Sequence, residues 1–98
     1  MFRSYTVTLG ATATRAISTV LPITYLRVEN ENGNADVYIG GSDVSATVYA
    51  ASVKDDPTAG PPNAVEFGPF DTPGRISLHE FYFLGTEDEV IHLSVITA

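Results

Sequence analysis

Alternation of apolar and polar residues runs along nearly the whole chain, and this two-residue period limits the possible folds more than any other feature. Successive side chains of a β-strand point to opposite faces, so alternation predicts strands with one face on a core. No stretch holds the 3.6-residue period of an amphipathic helix over a helical length. The sequence therefore predicts an all-β protein.

The predicted strands follow one another at short intervals. They cover residues 4–9, 16–21, 25–29, 35–39, 44–50, a short edge strand within 66–70, residues 75–84 with a bulge near His79, and residues 90–97. Asn32-Gly33 is a strong hairpin signal, so strands 25–29 and 35–39 are expected to pair, and residues 85–89 predict a second, acidic hairpin. Seven or eight such strands predict a small antiparallel β-sandwich or barrel, immunoglobulin-like or jelly-roll-like.

The length of 98 residues suits one domain, so residues 1–98 are expected to form a single unit. Residues 54–64, KDDPTAGPPNA, contain three prolines, one glycine and two aspartates and predict a surface loop. A turn is expected at DTPG, residues 71–74. The first residues alternate as a strand does, rather than forming the continuous apolar core of a signal peptide, so we expect Met1 to begin the mature protein.

The charge balance argues against two classes of partner. Twelve acidic and five basic residues give a net charge of −7, which repels phosphate, so neither nucleic acid nor an anionic membrane is expected to bind. No apolar stretch is long enough to span a bilayer. Without cysteine there is no disulfide, thiolate metal site or thiol nucleophile.

Four features were candidates for chemistry. Gly40-Gly41 lacks the lysine and the following helix of a phosphate loop, so it predicts a tight turn in which glycine supplies backbone freedom. His79 and His92 have no partner at motif spacing, and no serine stands in a nucleophile motif. The acids at 55–56 and 87–89 offer oxygen ligands to calcium but match no EF-hand, and they suit solvated loop tips equally. We expect neither an enzyme nor a cofactor.

The tyrosines are the one feature beyond a plain β-domain. If the apolar positions of their strands face the core, four tyrosines must face outward: Tyr25, Tyr38, Tyr49 and Tyr82. Tyrosine is frequent at protein interfaces, so these rings predict a contact surface. The alternative is ordinary cross-strand pairing on a solvated sheet. Phe67 and Phe70 pose the same choice between a contact surface and packing under the proline loop.

Two segments resemble a sequence pattern found in small virion proteins of tailed bacteriophages. They are YLRVENENGNADVYIGGSDVSATVYA and SLHEFYFLGTEDEVIHLSVI. In that pattern a strand ends in a polar hairpin, a V-Y-I-G strand enters a G-S-x-V-S turn, and a late Y-x-x-G-T hairpin precedes the last strand. The resemblance covers about residues 25–50 and 76–97. It implies a β-sandwich that decorates or cements a capsid, or serves in a tail or fibre, commonly as a trimer. It carries over no catalytic residue.

We therefore expect a capsid cement or decoration protein that assembles in the host cytoplasm, resides in the virion, and contacts the major capsid protein or another virion protein and copies of itself. The expected interface residues are Phe2, Tyr25, Tyr38, Tyr49, Tyr82, Pro61 and Pro62. A tail, collar or fibre-base protein is the first alternative. A carbohydrate-binding module is the second, although such modules usually stack tryptophan on sugars and this chain has none.

Overall fold

A computed structural model of the chain describes residues 1–31, 35–53, 64–70 and 76–98. These residues form eight strands in two four-stranded antiparallel sheets packed together, which confirms the all-β prediction and selects the sandwich over the barrel. The first sheet has the order β1-β8-β3-β6 and the second the order β2-β7-β4-β5. The strands are β1 Phe2–Thr8, β2 Thr14–Arg15, β3 Ile23–Asn30, β4 Val37–Gly40, β5 Ala51–Val53, β6 Ala64–Phe67, β7 Tyr82–Leu84 and β8 Val90–Thr97.

The core lies between the two sheets and comes from the alternate positions of their longest strands. In β8 the buried positions are Ile91, Leu93 and Val95, as the alternation predicts. The second sheet contributes Val37, Ile39 and Phe83 from β4 and β7, and β3 contributes Ile23, Leu26 and Val28. Fully burying one such side chain stabilises the fold by about 1.5–3 kcal/mol, so these inward faces decide which way each strand turns.

Both predicted hairpins are wrong, because each joins strands of different sheets. β3 pairs with β6 and β8, whereas β4 pairs with β5 and β7. The chain leaves the first sheet at Asn30, a buried residue whose side-chain amide donates to the Ala35 carbonyl oxygen at 3.0 Å. The connection at 85–89 likewise crosses from β7 to β8. Because the connections cross between the layers, the buried residues of β3 and β8 face those of β4 and β7 across one core.

The predicted strand at 44–50 is also wrong. Val44 is buried there, but Ala46 is exposed and Val48 is 51% exposed. The Ser45 hydroxyl accepts hydrogen bonds from the Thr47 and Val48 N–H groups, and this local turn competes with pairing to another strand. The next strand, β5, begins only at Ala51.

Two further boundaries differ from prediction. Residues 16–21 are irregular, with Ile17 and Leu21 packed against the core, and the strand before them is only the two residues of β2. Residues 75–84 are not one bulged strand, because Leu78–Glu80 form a 3-10 turn before β7. That turn accounts for the phase change between Leu78 and Phe83, which are both buried.

The predicted loop at 54–64 has only its last residue, Ala64, in the described part, where it opens β6. The turn at 71–74 and the Asn32-Gly33 pair lie outside the described residues. The edge strand predicted within 66–70 lies instead at Ala64–Phe67 as β6, which is an edge strand of the first sheet, and Pro69 lies outside it. In the described ranges no helix is long and apolar enough to cross a membrane.

Candidate interaction surface

An apolar row crosses the outer face of the first sheet near one end of its strands. Phe2 of β1 lies opposite Ile96 of β8, and Ile96 lies opposite Tyr25 of β3. A register shift between Ile23 and Tyr25 lets both Ile23 and Leu26 face the core while Tyr25 faces outward. We call Phe2, Ile96 and Tyr25 the apolar row. Phe2 is 63% exposed and Ile96 is 40% exposed, so the row offers a surface that has no cover within the described chain.

Tyr25 ends the apolar row beside a carboxylate. Partial desolvation raises the pKa of Tyr25 above its usual 10.0, and the Glu66 carboxylate raises it further by its charge and by accepting the phenolic hydrogen bond. Arg27 acts weakly in the opposite direction. Tyr25 therefore stays neutral over the physiological pH range and presents a ring with a satisfied hydroxyl group.

A second aromatic surface lies on the outer face of the second sheet. Arg15 of β2 lies opposite Tyr82 of β7, its guanidinium carbon 5.1 Å from the ring centroid. Its Nε donates to the Tyr82 hydroxyl at 2.8 Å, and its Nη2 donates to the same oxygen. The Tyr38 and Tyr49 ring centroids are 4.9 Å apart, with the planes tilted by 50°.

Tyr38 and Tyr82 face the same side of the second sheet. Tyr82 lies opposite Gly40, and Gly40 follows Tyr38 by two residues on the same strand. We call Arg15, Tyr38, Tyr49 and Tyr82 the tyrosine face. Because Arg15 covers the Tyr82 ring and Tyr49 packs on Tyr38, these side chains are held in place before any partner arrives.

The four tyrosines all lie outside the buried core, as the alternation predicts, but they do not share one surface. Tyr25 belongs to the first sheet with Phe2, and the other three belong to the second. The sequence did not indicate that Ile96 and Arg15 belong to these surfaces. Only the pairing register of the strands places Ile96 beside Phe2 and Tyr25, and Arg15 beside Tyr82. Pro61 and Pro62 lie outside the described residues.

Phe67 and Phe70 pack against the core instead of forming a contact surface. The Phe67 and Phe81 rings meet edge to face, with centroids 5.4 Å apart. Beside them is an apolar cleft of about 190 Å³ between β4 and β6, lined also by Ile39 and Gly40, with Glu80 among its lining residues. This cleft could not be predicted from the sequence, because its walls come from segments that are far apart in the chain.

Gly40 and Gly41 form a turn, as predicted, but not for the predicted reason. The Val44 N–H donates to the Gly41 carbonyl oxygen at 3.0 Å. Neither glycine has a positive φ; among the described glycines only Gly68 does. At Gly40 the constraint is space, since an added Cβ would lie 3.2 Å from Val44 Cγ2.

The two histidines each have one polar partner. His79 Nδ1 lies 2.6 Å from the Ser77 hydroxyl, and His92 Nε2 lies 2.7 Å from the Glu31 carboxylate on the surface. Asp88 lies in the turn before β8 with a φ of 72°, while residues 55–56 are outside the described ranges. In the part of the chain that the structure covers, no three histidine, cysteine or acidic side chains are grouped to hold a metal ion.

No protein-family model, no curated protein and no solved structure matches this chain. The similarity to tailed-phage virion proteins stays a prediction based on the two quoted segments.

Proposed function

We propose that this chain is a structural protein of a tailed-phage virion, a capsid cement or decoration protein that acts through protein-protein contacts. The virion context comes from the resemblance of residues 25–50 and 76–97. The observation that carries the mode of action is that the outer faces of both sheets present aromatic side chains, Phe2 and Tyr25 on one and Tyr38, Tyr49 and Tyr82 on the other.

Two opposite surfaces suit a protein that joins neighbours. The domain measures 35 × 28 × 20 Å, and the apolar row and the tyrosine face lie on the outer sides of its two layers. A subunit that stiffens a shell must touch at least two other molecules, so one surface can bind the shell while the other binds a further subunit. Symmetry then repeats each contact, and linked copies bind at high effective concentration even where one contact is weak.

The chemistry of the two surfaces resembles that of protein interfaces. Tyrosine and arginine are enriched among residues that dominate binding energy, and the Arg15–Tyr82 pair combines both. A net charge of −7 favours a partner surface with basic residues at its rim. Rising salt concentration should therefore slow association more than it speeds dissociation.

Co-sedimentation with undecorated capsid shells tests this proposal. The shells are assembled from the major capsid protein encoded in the same genome, and the variants are Tyr25→Ser on the apolar row and Tyr38→Ser on the tyrosine face. Truncating a tyrosine that anchors an interface costs about 2 kcal/mol, which weakens binding about 30-fold. Thr8→Ser, a small change at an exposed position of β1, is the matched control and should bind as the wild type does.

Failure of the wild type to sediment with shells contradicts the cement role. Binding that neither tyrosine variant weakens contradicts the assignment of the two surfaces. If the wild type does not bind shells but binds purified tails or collars, the protein is a tail or collar component and not a capsid cement protein.

A further inference from the structure

Among the strands that the structure describes, β1 lies at an edge of the first sheet, and no described strand pairs with its second side. The Met1 carbonyl oxygen accepts from Thr97 N–H at 2.8 Å, and the Leu9 N–H donates to Glu89 O at 2.8 Å. Odd-numbered residues of this segment therefore bond to β8. Since hydrogen-bonding direction alternates along an antiparallel strand, the N–H and C=O groups of the even-numbered residues point away from the sheet. Those residues are Phe2, Ser4, Thr6 and Thr8.

Of the devices that keep strand edges apart, this edge carries only one, the charge of Arg3. Proteins protect open edges with prolines, bulges, very short strands or charged side chains. β1 has seven residues, contains no proline, pairs with β8 in unbroken register and includes none of the twelve acids. Its one charge is Arg3, which lies opposite the buried Val95 and reaches back toward the Tyr5 hydroxyl at 3.5 Å. In a chain of net charge −7, β1 is thus a strip without negative charge.

We propose that β1 is a self-association edge, at which two copies pair antiparallel about a two-fold axis and join their first sheets into one eight-stranded sheet. The axis passes midway between Tyr5 of one copy and Tyr5 of the other, so that these two residues lie opposite each other. Ser4 then lies opposite Thr6 of the second copy, and Phe2 lies opposite Thr8 of the second copy.

This register follows from the backbone and from charge. It makes every outward residue a member of a hydrogen-bonded pair, so about eight backbone hydrogen bonds form across the axis. Tyr5 is half-buried at the margin of the core, and its mate covers its exposed side. The occupant is a second copy because a two-fold contact needs a patch that complements itself, and this strip brings no carboxylate near a carboxylate.

The pairing goes beyond the proposed virion role and does not depend on it, since it forms between free copies in solution. It uses the backbone edge of β1, whereas the apolar row and the tyrosine face are side-chain surfaces on the outer faces of the two sheets, and Phe2 is the one residue that belongs to both the edge and the apolar row.

Engineered cysteines test the register, because the chain has no cysteine of its own. A residue on the axis faces its copy across a non-hydrogen-bonded pair with Cα atoms about 4.5 Å apart, within the range that a disulfide spans. Tyr5→Cys should therefore oxidise in air to a covalent dimer of twice 10.5 kDa. Thr6→Cys is the control, since its two copies lie about 7–8 Å apart on the diagonal and should remain thiols. Equal rates of cross-linking in the two variants would overturn the register.

Light scattering after size-exclusion chromatography tests the contact itself. Thr6→Pro removes an N–H that points away from β8, and proline is tolerated on an edge strand. We expect the wild type and Thr6→Ala, which keeps that N–H, to be dimeric. We expect Thr6→Pro to dimerise at least tenfold more weakly while its circular dichroism spectrum stays that of the folded wild type. A wild type that stays monomeric at high concentration, or an oligomer that Thr6→Pro leaves intact, would overturn the proposal.

Discussion

Replacing Phe83 or Phe2 by alanine compares the same chemical change at a core position of the second sheet and at an outward position of the first sheet. Phe83 is fully buried, whereas Phe2 keeps 63% of its surface exposed. A phenylalanine buries about 150–250 Å², worth about 4–6 kcal/mol at 25 cal/mol per Å². Phe83→Ala should therefore cost about 4–5 kcal/mol of unfolding free energy, within the usual range for such core truncations. Phe2 has little more than a third of its surface buried, so Phe2→Ala should lower the free energy of unfolding by about 1–2 kcal/mol.

The assay is urea unfolding of both variants and the wild type, followed by circular dichroism. A gap of about 2–4 kcal/mol between the variants corresponds to about 10–30 °C in melting temperature for a domain of this size. If Phe83→Ala is too unstable to purify, Phe83→Leu keeps most of the volume and should still cost more than Phe2→Leu. Equal losses for the two sites would show that the assignment of core and outer face is wrong.

Three further outcomes are expected. Ser77→Ala removes the hydroxyl that accepts the Leu21 N–H at 2.9 Å and should cost about 1–3 kcal/mol in urea unfolding; an unchanged midpoint would contradict this bond. Gly68→Ala should lower the free energy of unfolding by about 1–3 kcal/mol, because φ is 97° and the new Cβ would lie 2.7 Å from a backbone oxygen. Gly41→Ala should leave the free energy of unfolding nearly unchanged. The reverse order of the two losses would refute the backbone conformation assigned to these glycines. The pKa of Tyr25 is raised above 10.0 in the folded state, so the folded state holds the phenolic proton more tightly than the unfolded state does. The free energy of unfolding of the wild type should therefore fall as the pH rises above 10.0, and that of Tyr25→Phe should fall less. Identical pH profiles for the two proteins would contradict the shift.

Four strands could be predicted closely. β8 matches its predicted bounds, 90–97, and β1, β3 and β4 differ from theirs by one or two residues at each end. In β4 and β8 the alternation in the sequence matches the burial in the structure, whereas the inward face of β1 is fully buried only at Val7. At 44–50 the alternation continues without a partner strand, because the Ser45 hydroxyl holds the backbone in a local turn.

The pairing of strands could not be predicted, because turn signals are local and the choice of sheet is not. Asn32-Gly33 suits a hairpin, yet burying Val28 of β3 and Val37 of β4 on opposite sides of one core places their strands in different sheets. The same limit applies to the surfaces. Arg15 and Tyr82 are 67 residues apart in the chain, and only the register of β2 with β7 brings them together.

Cryo-electron microscopy of undecorated shells incubated with the wild-type chain tests the proposed function most directly. We expect added density at symmetry-related positions, with Tyr25 of the apolar row or Tyr38 of the tyrosine face at the contact with the shell. The serine variant of the contacting tyrosine should lose that density. Bare shells at saturating protein, or bound copies that turn both surfaces to solvent, would contradict it.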